Sequence, residues 1–331
     1  MAWSAKGDTV MSWSASHVSR DVLELKTGHS KSRAPPLAAP SIPLPRYSFR
    51  PTDGRYLAVA ERHSGKDHVG IYDCAAWKLI RHFPLPSPSS DVADLAWSPC
   101  GRFIAVWEVL TDYILHIYTP DGRLLKTFTP YSSGWVGLGI RKVEWHPTGD
   151  WLAVGGWDGK IRILTRLAWA PVAELSVPAK VSAPMHVWQE PTEWIERTRG
   201  KGIVPFDAQA LPYNPTAVRP DLGRPNPKMG IASMSWSPSG RWLAVWNQTY
   251  PTTILLFTFI SSPTPHFHPR LHSLLVHNLP IRAFEWQPVQ QELLAISTGE
   301  KGFTMWRQPR PEVQGEEDGL AECVGVPSRE L

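Results

Sequence analysis

The strongest constraint on this chain is a short motif that occurs five times along it. In each copy an aromatic residue is followed two positions later by proline, and four of the five copies then add glycine and an apolar run. The copies occupy residues 47–59, 95–106, 143–154, 234–245 and 284–296. Their aromatic positions are separated by 48, 48, 91 and 50 residues, so the third interval holds one period plus about 43 further residues.

The composition of the repeat predicts its local structure. Proline fixes φ and glycine tolerates positive φ, so the pair predicts a turn between two strands. The strand after the turn is apolar on both faces, as expected for a strand covered by neighbouring sheets. A period in the forties is typical of a four-stranded propeller blade. We therefore predict an all-β fold, a β-propeller of four-stranded blades. Five clear units and one ragged unit predict an incomplete ring.

The same alignment assigns roles to individual residues. The recurring aromatic residues are predicted to form the core of the repeats, because they return at one slot of a structural unit and do not resemble a ligand platform. These residues are Phe49, Trp97, Trp145, Trp236 and Trp286. Asp-Gly pairs between alternating strands are strong hairpin signals. The predicted turn residues are Gly54, Gly101, Asp121, Gly122, Gly149, Asp158, Gly159 and Gly240.

The spacing of the repeats also divides the chain. We predict a ragged unit with a proline-rich linker over 1–45, blades over 46–177, a proline-rich insertion over 178–226, blades over 227–310, and an acidic disordered tail over 311–331. The insertion is either a long loop that tolerates extra residues or a docking segment. In the second case Trp188 and Trp194 are the candidate partner-binding residues. Deleting the insertion would then weaken partner recovery more than folding.

Composition excludes several classes of protein. The three cysteines are scattered, which excludes a recognisable disulfide framework or zinc ribbon and suits a reducing compartment. The net charge of +4 is spread along the chain without a basic run, so no nucleic-acid partner is expected. The sequence shows no secretory signal and no stretch of about 18 uncharged apolar residues, so no membrane span is expected.

No catalytic motif is recognisable in the sequence. It contains neither the Gly-x-Ser-x-Gly elbow of hydrolases nor a glycine-rich phosphate loop after a strand. Four histidines crowd one region but lack cysteine or carboxylate neighbours at ligand spacing, so a metal site there is disfavoured. They are His266, His268, His272 and His277. We therefore expect a non-enzymatic protein with no catalytic residue, cofactor or metal.

Seven short segments carry a more specific resemblance. In order they are GRYLAVAER (54–62), WKLIRHF (77–83), DGRLL (121–125), LGIRKV (138–143), DGKIRI (158–163), NPKMG (226–230) and PIRAFEW (280–286). Together they resemble the WD-repeat family found at centriolar satellites in animals and at spindle pole bodies in fungi. The resemblance covers about residues 46–308. Family members carry additional repeats before the position of Tyr47, so the resemblance suggests that this chain is a truncated fungal member.

The resemblance also implies a cellular location and protein partners, which composition alone does not indicate. It implies a scaffold that anchors microtubule minus ends at the spindle pole body or centrosome in mitosis, within the cytoskeleton. The implied partners are a coiled-coil spindle-pole adaptor and a kinesin-14 motor. Two alternatives stay open: a general WD-repeat interaction platform unrelated to microtubules, and a propeller that binds a small molecule in its central channel.

Overall fold

The structure is a computed structural model of the whole chain. It describes residues 46–63, 65–86, 91–108, 112–131, 138–199, 201–223, 227–259, 269–289, 292–299, 302–308 and 320–325, and, before residue 46, residues 2–3, 7, 9–13, 20–24 and 30–33. The chain divides into two compact units, Met1–Ile140 and Arg141–Leu331. Each described sheet is antiparallel where consecutive strands pair, as the hairpin repeats predict.

The first unit contains three sheets of four strands, each in chain order. The first sheet is formed by β1 (Ala2–Trp3), β2 (Thr9–Trp13), β3 (Arg20–Glu24) and β4 (Ser30–Arg33). The second is formed by β5 (Tyr47–Phe49), β6 (Tyr56–His63), β7 (Lys66–Asp73) and β8 (Lys78–Pro84). The third is formed by β9 (Val92–Trp97), β10 (Ile104–Glu108), β11 (Leu115–Tyr118) and β12 (Leu124–Phe128).

The second unit contains three more sheets, two of which exceed four strands. One is formed by β13 (Ile140–Trp145), β14 (Trp151–Gly156), β15 (Ile161–Thr165) and β16 (Pro171–Leu175). The six-stranded sheet has the order β19 (Asp207–Ala208), β17 (His186–Gln189), β23 (Arg270–Val276), β22 (Thr253–Thr258), β21 (Trp242–Asn247) and β20 (Ile231–Trp236). The five-stranded sheet has the order β18 (Ile203–Pro205), β27 (Leu320–Gly325), β26 (Gly302–Arg307), β25 (Leu293–Ser297) and β24 (Ala283–Trp286). The helix α1 spans Trp194–Thr198.

Burial explains the apolar character of the repeat strands. Every residue of β10 is buried, and so is every residue of β11, because both faces of these central strands are covered. The outer strands β8 and β12 are mostly exposed to solvent. In β8 and β12 only one residue is buried, Phe83 and Phe128 respectively. The sheets β5–β8 and β9–β12 therefore change from buried central strands to an exposed outer strand.

The repeat tryptophans are buried, and two of them join neighbouring sheets of the second unit. Trp97, Trp145, Trp236 and Trp286 are all buried, as the alignment predicts, and Phe49 is half-buried. The indole nitrogens of two of them donate hydrogen bonds to backbone oxygens of the neighbouring sheet. Trp236 Nε1 lies 3.5 Å from the oxygen of Glu144, and Trp286 Nε1 lies 3.0 Å from that of Ser235. Each accepting residue directly precedes the tryptophan of its own repeat, so the contact repeats from sheet to sheet.

The predicted turn glycines adopt the backbone geometry that the motif requires. All six, at 54, 101, 122, 149, 159 and 240, have positive φ. At Gly240 a Cβ atom would also lie 2.2 Å from His146 Nε2, so this turn requires glycine for space as well as for φ. Asp158 completes its turn by accepting a hydrogen bond from the backbone nitrogen of Lys160 at 3.1 Å. A hydrogen bond with the side chain of Thr119 lowers the pKa of Asp121 in the other Asp-Gly turn.

Two predicted segments differ from the structure. The first 45 residues, interpreted as one ragged unit and a linker, contain the complete sheet β1–β4, and Met11 of that sheet is buried with Leu57 and Val59. The linker itself lies outside the described residues. The prediction of a disordered tail over 311–331 is wrong for Leu320–Gly325, which pair with β26 as strand β27. The strand forms because Ala321 and Cys323 alternate inward and are buried.

Candidate functional site

The insertion between the third and fourth clear repeats is the candidate site, and it is folded. Strand β17 pairs in parallel with β23, and β19 pairs with β17. Strand β18 pairs antiparallel with β27. The insertion therefore covers the outer edges of two sheets. Exposed sheet edges are sites of unwanted pairing, and covering them is a common protection.

Trp194 lies inside the protein. Its side chain is only 3% exposed and packs in the core that contains Trp286 and Trp306. The ring approaches β26 so closely that a Cβ atom at Gly302 would lie 2.7 Å from it. The interpretation of Trp194 as an exposed partner-binding residue is therefore corrected: it anchors the insertion to the sheet β24–β27.

Trp188 has a similar position on β17. It is half-buried and packs against the same core. Its indole nitrogen is inaccessible to solvent and has no hydrogen-bond partner in the described part of the chain. Both tryptophans thus contribute to attachment of the insertion, and the structure brings them to one core.

A buried carboxylate links the insertion to the loop after β23. Glu190 Oε1 accepts a hydrogen bond from Trp194 Nε1 at 2.7 Å, and its Oε2 accepts one from the backbone nitrogen of Asn278 at 2.9 Å. The Asn278 side chain returns a hydrogen bond from Nδ2 to the oxygen of Pro191 at 3.0 Å. These three hydrogen bonds together fix the entry to α1.

A cleft of about 320 Å³ lies beside α1. Carboxylates and apolar side chains line it, including Glu193, Glu196, Leu279 and Phe303. Such a lining can accept hydrogen bonds or a cation from another protein. Thr298 and Thr304 supply the hydroxyl groups, and no lining residue is a histidine or a cysteine.

Two of the four clustered histidines lie in the described part of the chain. His266 and His268 lie outside the described residues. His272 Nδ1 lies 2.7 Å from the hydroxyl of Ser273, and its ring packs edge-on against Trp242. His277 is buried, with Nε2 at 2.8 Å from the hydroxyl of Thr304. Within the described residues, no three histidine, cysteine or acidic side chains form a group suited to a metal ion.

Two buried histidines make the stability of the second unit sensitive to pH. Burial lowers the pKa of His146 and of His277 below the usual value of about 6.5. Protonation therefore favours the unfolded chain. We expect the free energy of unfolding to be unaffected by these groups above about pH 7 and to fall as pH decreases below about 6.5.

Urea unfolding of the wild-type chain and of the double variant H146Q/H277Q, measured between pH 5 and pH 8, checks this expectation. The variant should show a shallower decrease toward acid pH than the wild type. Equal slopes for the two proteins would contradict it.

Two residues of this region could not be found from the sequence. Glu190 and Asn278 carry the attachment, yet neither belongs to a motif or a periodic strand. The sequence signal for a folded insertion is the presence of large aromatic residues, among them Trp194 and Phe206, within a proline-rich segment, and both are buried. In the described residues no helix has the length and hydropathy of a membrane span.

Comparison with known proteins agrees with this architecture. The WD40 family (WD domain, G-beta repeat) matches residues 120–164. A curated relative, WD repeat-containing protein WRAP73 of Mus musculus, is 30% identical over 270 residues, which cover 77% of this chain and 56% of that protein. An uncharacterized WD repeat-containing protein of Schizosaccharomyces pombe is 24% identical over 260 residues, covering 76% and 48% respectively. The chain thus spans about half the length of these relatives.

Solved structures show the same fold. The β-propeller domain of Myceliophthora thermophila Cps50 (Swd1) superposes with a TM-score of 0.55 at 14% identity, covering 99% of this chain and 86% of that one. A chain of the mitotic checkpoint complex also gives a TM-score of 0.55 at 14% identity, covering 97% and 80%. At these identities the likeness establishes the fold alone.

Proposed function

We propose that this WD40-repeat protein, an all-β propeller with four-stranded blades, is a non-catalytic scaffold that holds other proteins together. The observation that carries the proposal is the contrast between its strands. Central strands such as β10 and β11 are wholly buried, whereas the outer strands β8 and β12 expose nearly every side chain. A stiff core with accessible outer edges suits the display of a binding surface.

We further propose that the scaffold works at the spindle pole body or microtubule organising centre. There it would anchor microtubule minus ends in mitosis by binding a coiled-coil adaptor and a kinesin-14 motor. Support comes from the seven ordered segments between residues 54 and 286. The similarity to WD repeat-containing protein WRAP73 over 77% of this chain supports only the WD-repeat scaffold on which this proposal rests. The alternative is an interaction platform with no part in microtubule anchoring.

Loss of the gene and its rescue test the proposal. Cells that lack the protein should assemble spindles whose microtubule minus ends protrude or drift from the poles. A fluorescently tagged wild-type chain should locate to the poles in mitosis and restore anchoring. Minus-end position is measured by imaging a minus-end marker relative to a pole marker.

The two functions give different outcomes in this experiment. Normal minus-end anchoring in the knockout, or a tagged chain that is absent from the poles throughout mitosis, would leave only the general interaction platform. A tagged chain carrying L167A serves as the matched control. Leu167 is 92% exposed, and its loss should leave both folding and localisation unchanged.

A further inference from the structure

The outer strands of the sheets fall into two groups. Strands β23 and β27 are covered by β17 and β18 of the insertion. In the described part of the chain, β4, β8, β12 and β16 have no further strand beside them. The open edges of β8 and β12 both belong to the first unit.

A β-bulge at the same place in β8 and β12 turns an aliphatic side chain outward. In β8 the pairing shifts between Ile71 and Tyr72, so Ile80 is the extra residue. In β12 the shift between Ile117 and Tyr118 makes Leu125 the extra residue. Bulges of this kind redirect side chains at sheet edges.

Four aliphatic side chains are exposed on these two outer strands. Ile80 is 48% exposed and Leu125 is 36% exposed. Their preceding neighbours Leu79 and Leu124 are 40% and 39% exposed. Scattered single apolar residues on a surface need no explanation, but a pair that recurs at matching positions of two neighbouring sheets suggests an interaction site.

Basic residues flank both pairs. Lys78 and Arg81 enclose the first pair, and Arg123 and Lys126 enclose the second. All four are exposed, and within the described part of the chain none forms an ion pair with a carboxylate within 4.0 Å. The nearby carboxylate is Asp121, whose pKa the charges of Arg81 and Arg123 help to lower. The face formed by residues 78–81 and 123–126, here termed the outer-strand face, is therefore both aliphatic and basic.

The two halves of this face belong to neighbouring sheets in contact. Phe83 at the end of β8 packs beneath the turn before β12, where a Cβ atom at Gly122 would come within 2.6 Å of its ring. The Phe83 ring also lies 5.0 Å from that of Tyr118 on β11. One partner segment can therefore contact both strands.

The geometry favours recognition by side chains over addition of another strand. On β23 the added strand β17 pairs only with Ser273–Val276, beyond the bulged residue His272. On β8 the corresponding stretch ends at Pro84, which has no backbone N–H to donate. Basic residues, bulges and proline are features that discourage edge-to-edge pairing.

We propose that the outer-strand face binds an amphipathic segment of a partner protein, in which aliphatic side chains are flanked by aspartate and glutamate. The aliphatic residues of that segment contact Leu79, Ile80, Leu124 and Leu125, and its carboxylates pair with the surrounding cations. This inference deepens the proposed scaffold function, on which it rests, by naming the surface and the chemistry of the partner.

Photo-crosslinking of the 331-residue chain in mitotic cells tests the inference. p-Benzoylphenylalanine is placed at Ile80 or Leu125, and at the exposed control positions Leu167 and Val289. Crosslinked peptides are identified by mass spectrometry. We expect adducts from both test positions on one partner segment that is rich in aliphatic and acidic residues.

A charge reversal supplies the second readout. The double variant R81E/K126E should lower the yield of that adduct roughly tenfold, because two attractions become repulsions. The matched control R102E/K201E reverses two other exposed basic residues and should leave the yield unchanged. Circular dichroism of both variants verifies that they fold.

Each other outcome overturns the inference. Absence of adducts at 80 and 125, equal adducts at the control positions, adducts on a basic segment, or a second copy of this chain as the only product would do so. The knockout phenotype is scored separately in the same cells. Normal anchoring without the protein would reject the spindle-pole function, whereas crosslinking failure alone would reject only this surface.

Discussion

A chain in which residues 178–226 are replaced by a short Gly-Ser linker should fail to fold to a soluble protein. The replacement removes Val181 and Val187 from one core and Trp194 and Phe206 from another. Loss of large buried apolar side chains costs about 2–5 kcal/mol each, so the sum approaches or exceeds the roughly 5–15 kcal/mol that stabilises a domain. It also uncovers the edges of β23 and β27, which favours aggregation.

Solubility, size-exclusion chromatography and circular dichroism measure the effect. The matched control replaces only residues 216–223, which are mostly exposed, by Gly-Ser of equal length, and it should remain soluble and folded. A soluble, cooperatively unfolding protein after removal of the whole insertion would contradict the prediction. The sequence suggested that deletion affects partner recovery more than folding; the packing of the insertion into two cores leads us to expect a loss of folding.

Replacement of Trp194 by alanine should lower the free energy of unfolding by about 5 kcal/mol. Truncation of a buried tryptophan costs about 3–5 kcal/mol. Loss of the indole donor also leaves Glu190 Oε1 without its hydrogen bond at 2.7 Å, at a further cost of about 1–3 kcal/mol. Denaturant unfolding monitored by far-ultraviolet circular dichroism measures the change.

A second variant separates the apolar contact of Trp194 from its hydrogen bond, and a third serves as a control. Trp194→Phe keeps most of the apolar contact and loses the donor, so its cost should be intermediate. Leu167→Ala, at a highly exposed position, should change the free energy by less than about 0.5 kcal/mol. A Trp194→Ala protein within 1 kcal/mol of the wild type would show that the insertion is not anchored through this residue.

The repeat motif determined most of the fold because its signals are local. An aromatic residue, a proline and a glycine within a few positions specify a turn and the strand after it. The hairpins that follow the strands ending at Phe49, Trp97, Trp145, Trp236 and Trp286 could therefore be predicted. The burial of the repeat tryptophans could also be predicted, because they recur at one position of the motif. The hydrogen bonds from the indole nitrogens to the backbone oxygens of Glu144 and Ser235 could not be predicted, because they depend on how adjacent sheets are placed.

The remaining elements were missed where local signals point away from the structure. Strand β27 lies next to an acidic stretch, and two inward residues, Ala321 and Cys323, are too few to form a recognisable pattern. The prolines of the insertion indicate a loop, but pairing partners more than 80 residues away, as for Trp188 and Leu275, give it strands. The bulges that expose Ile80 and Leu125 require knowledge of strand register.

The five-stranded sheet is assembled from three separate stretches of chain, and this has a consequence for synthesis on the ribosome. Val204 of β18 pairs with Cys323 of β27. The difference between their positions is 119, so the ribosome adds Cys323 119 residues after Val204. At about 5–20 residues per second, β18 waits on the order of 10 s for its partner strand. During that interval Trp194 and Phe206 have no completed sheet to cover them. We therefore expect the nascent chain to be most dependent on chaperones between the emergence of the insertion and that of β27.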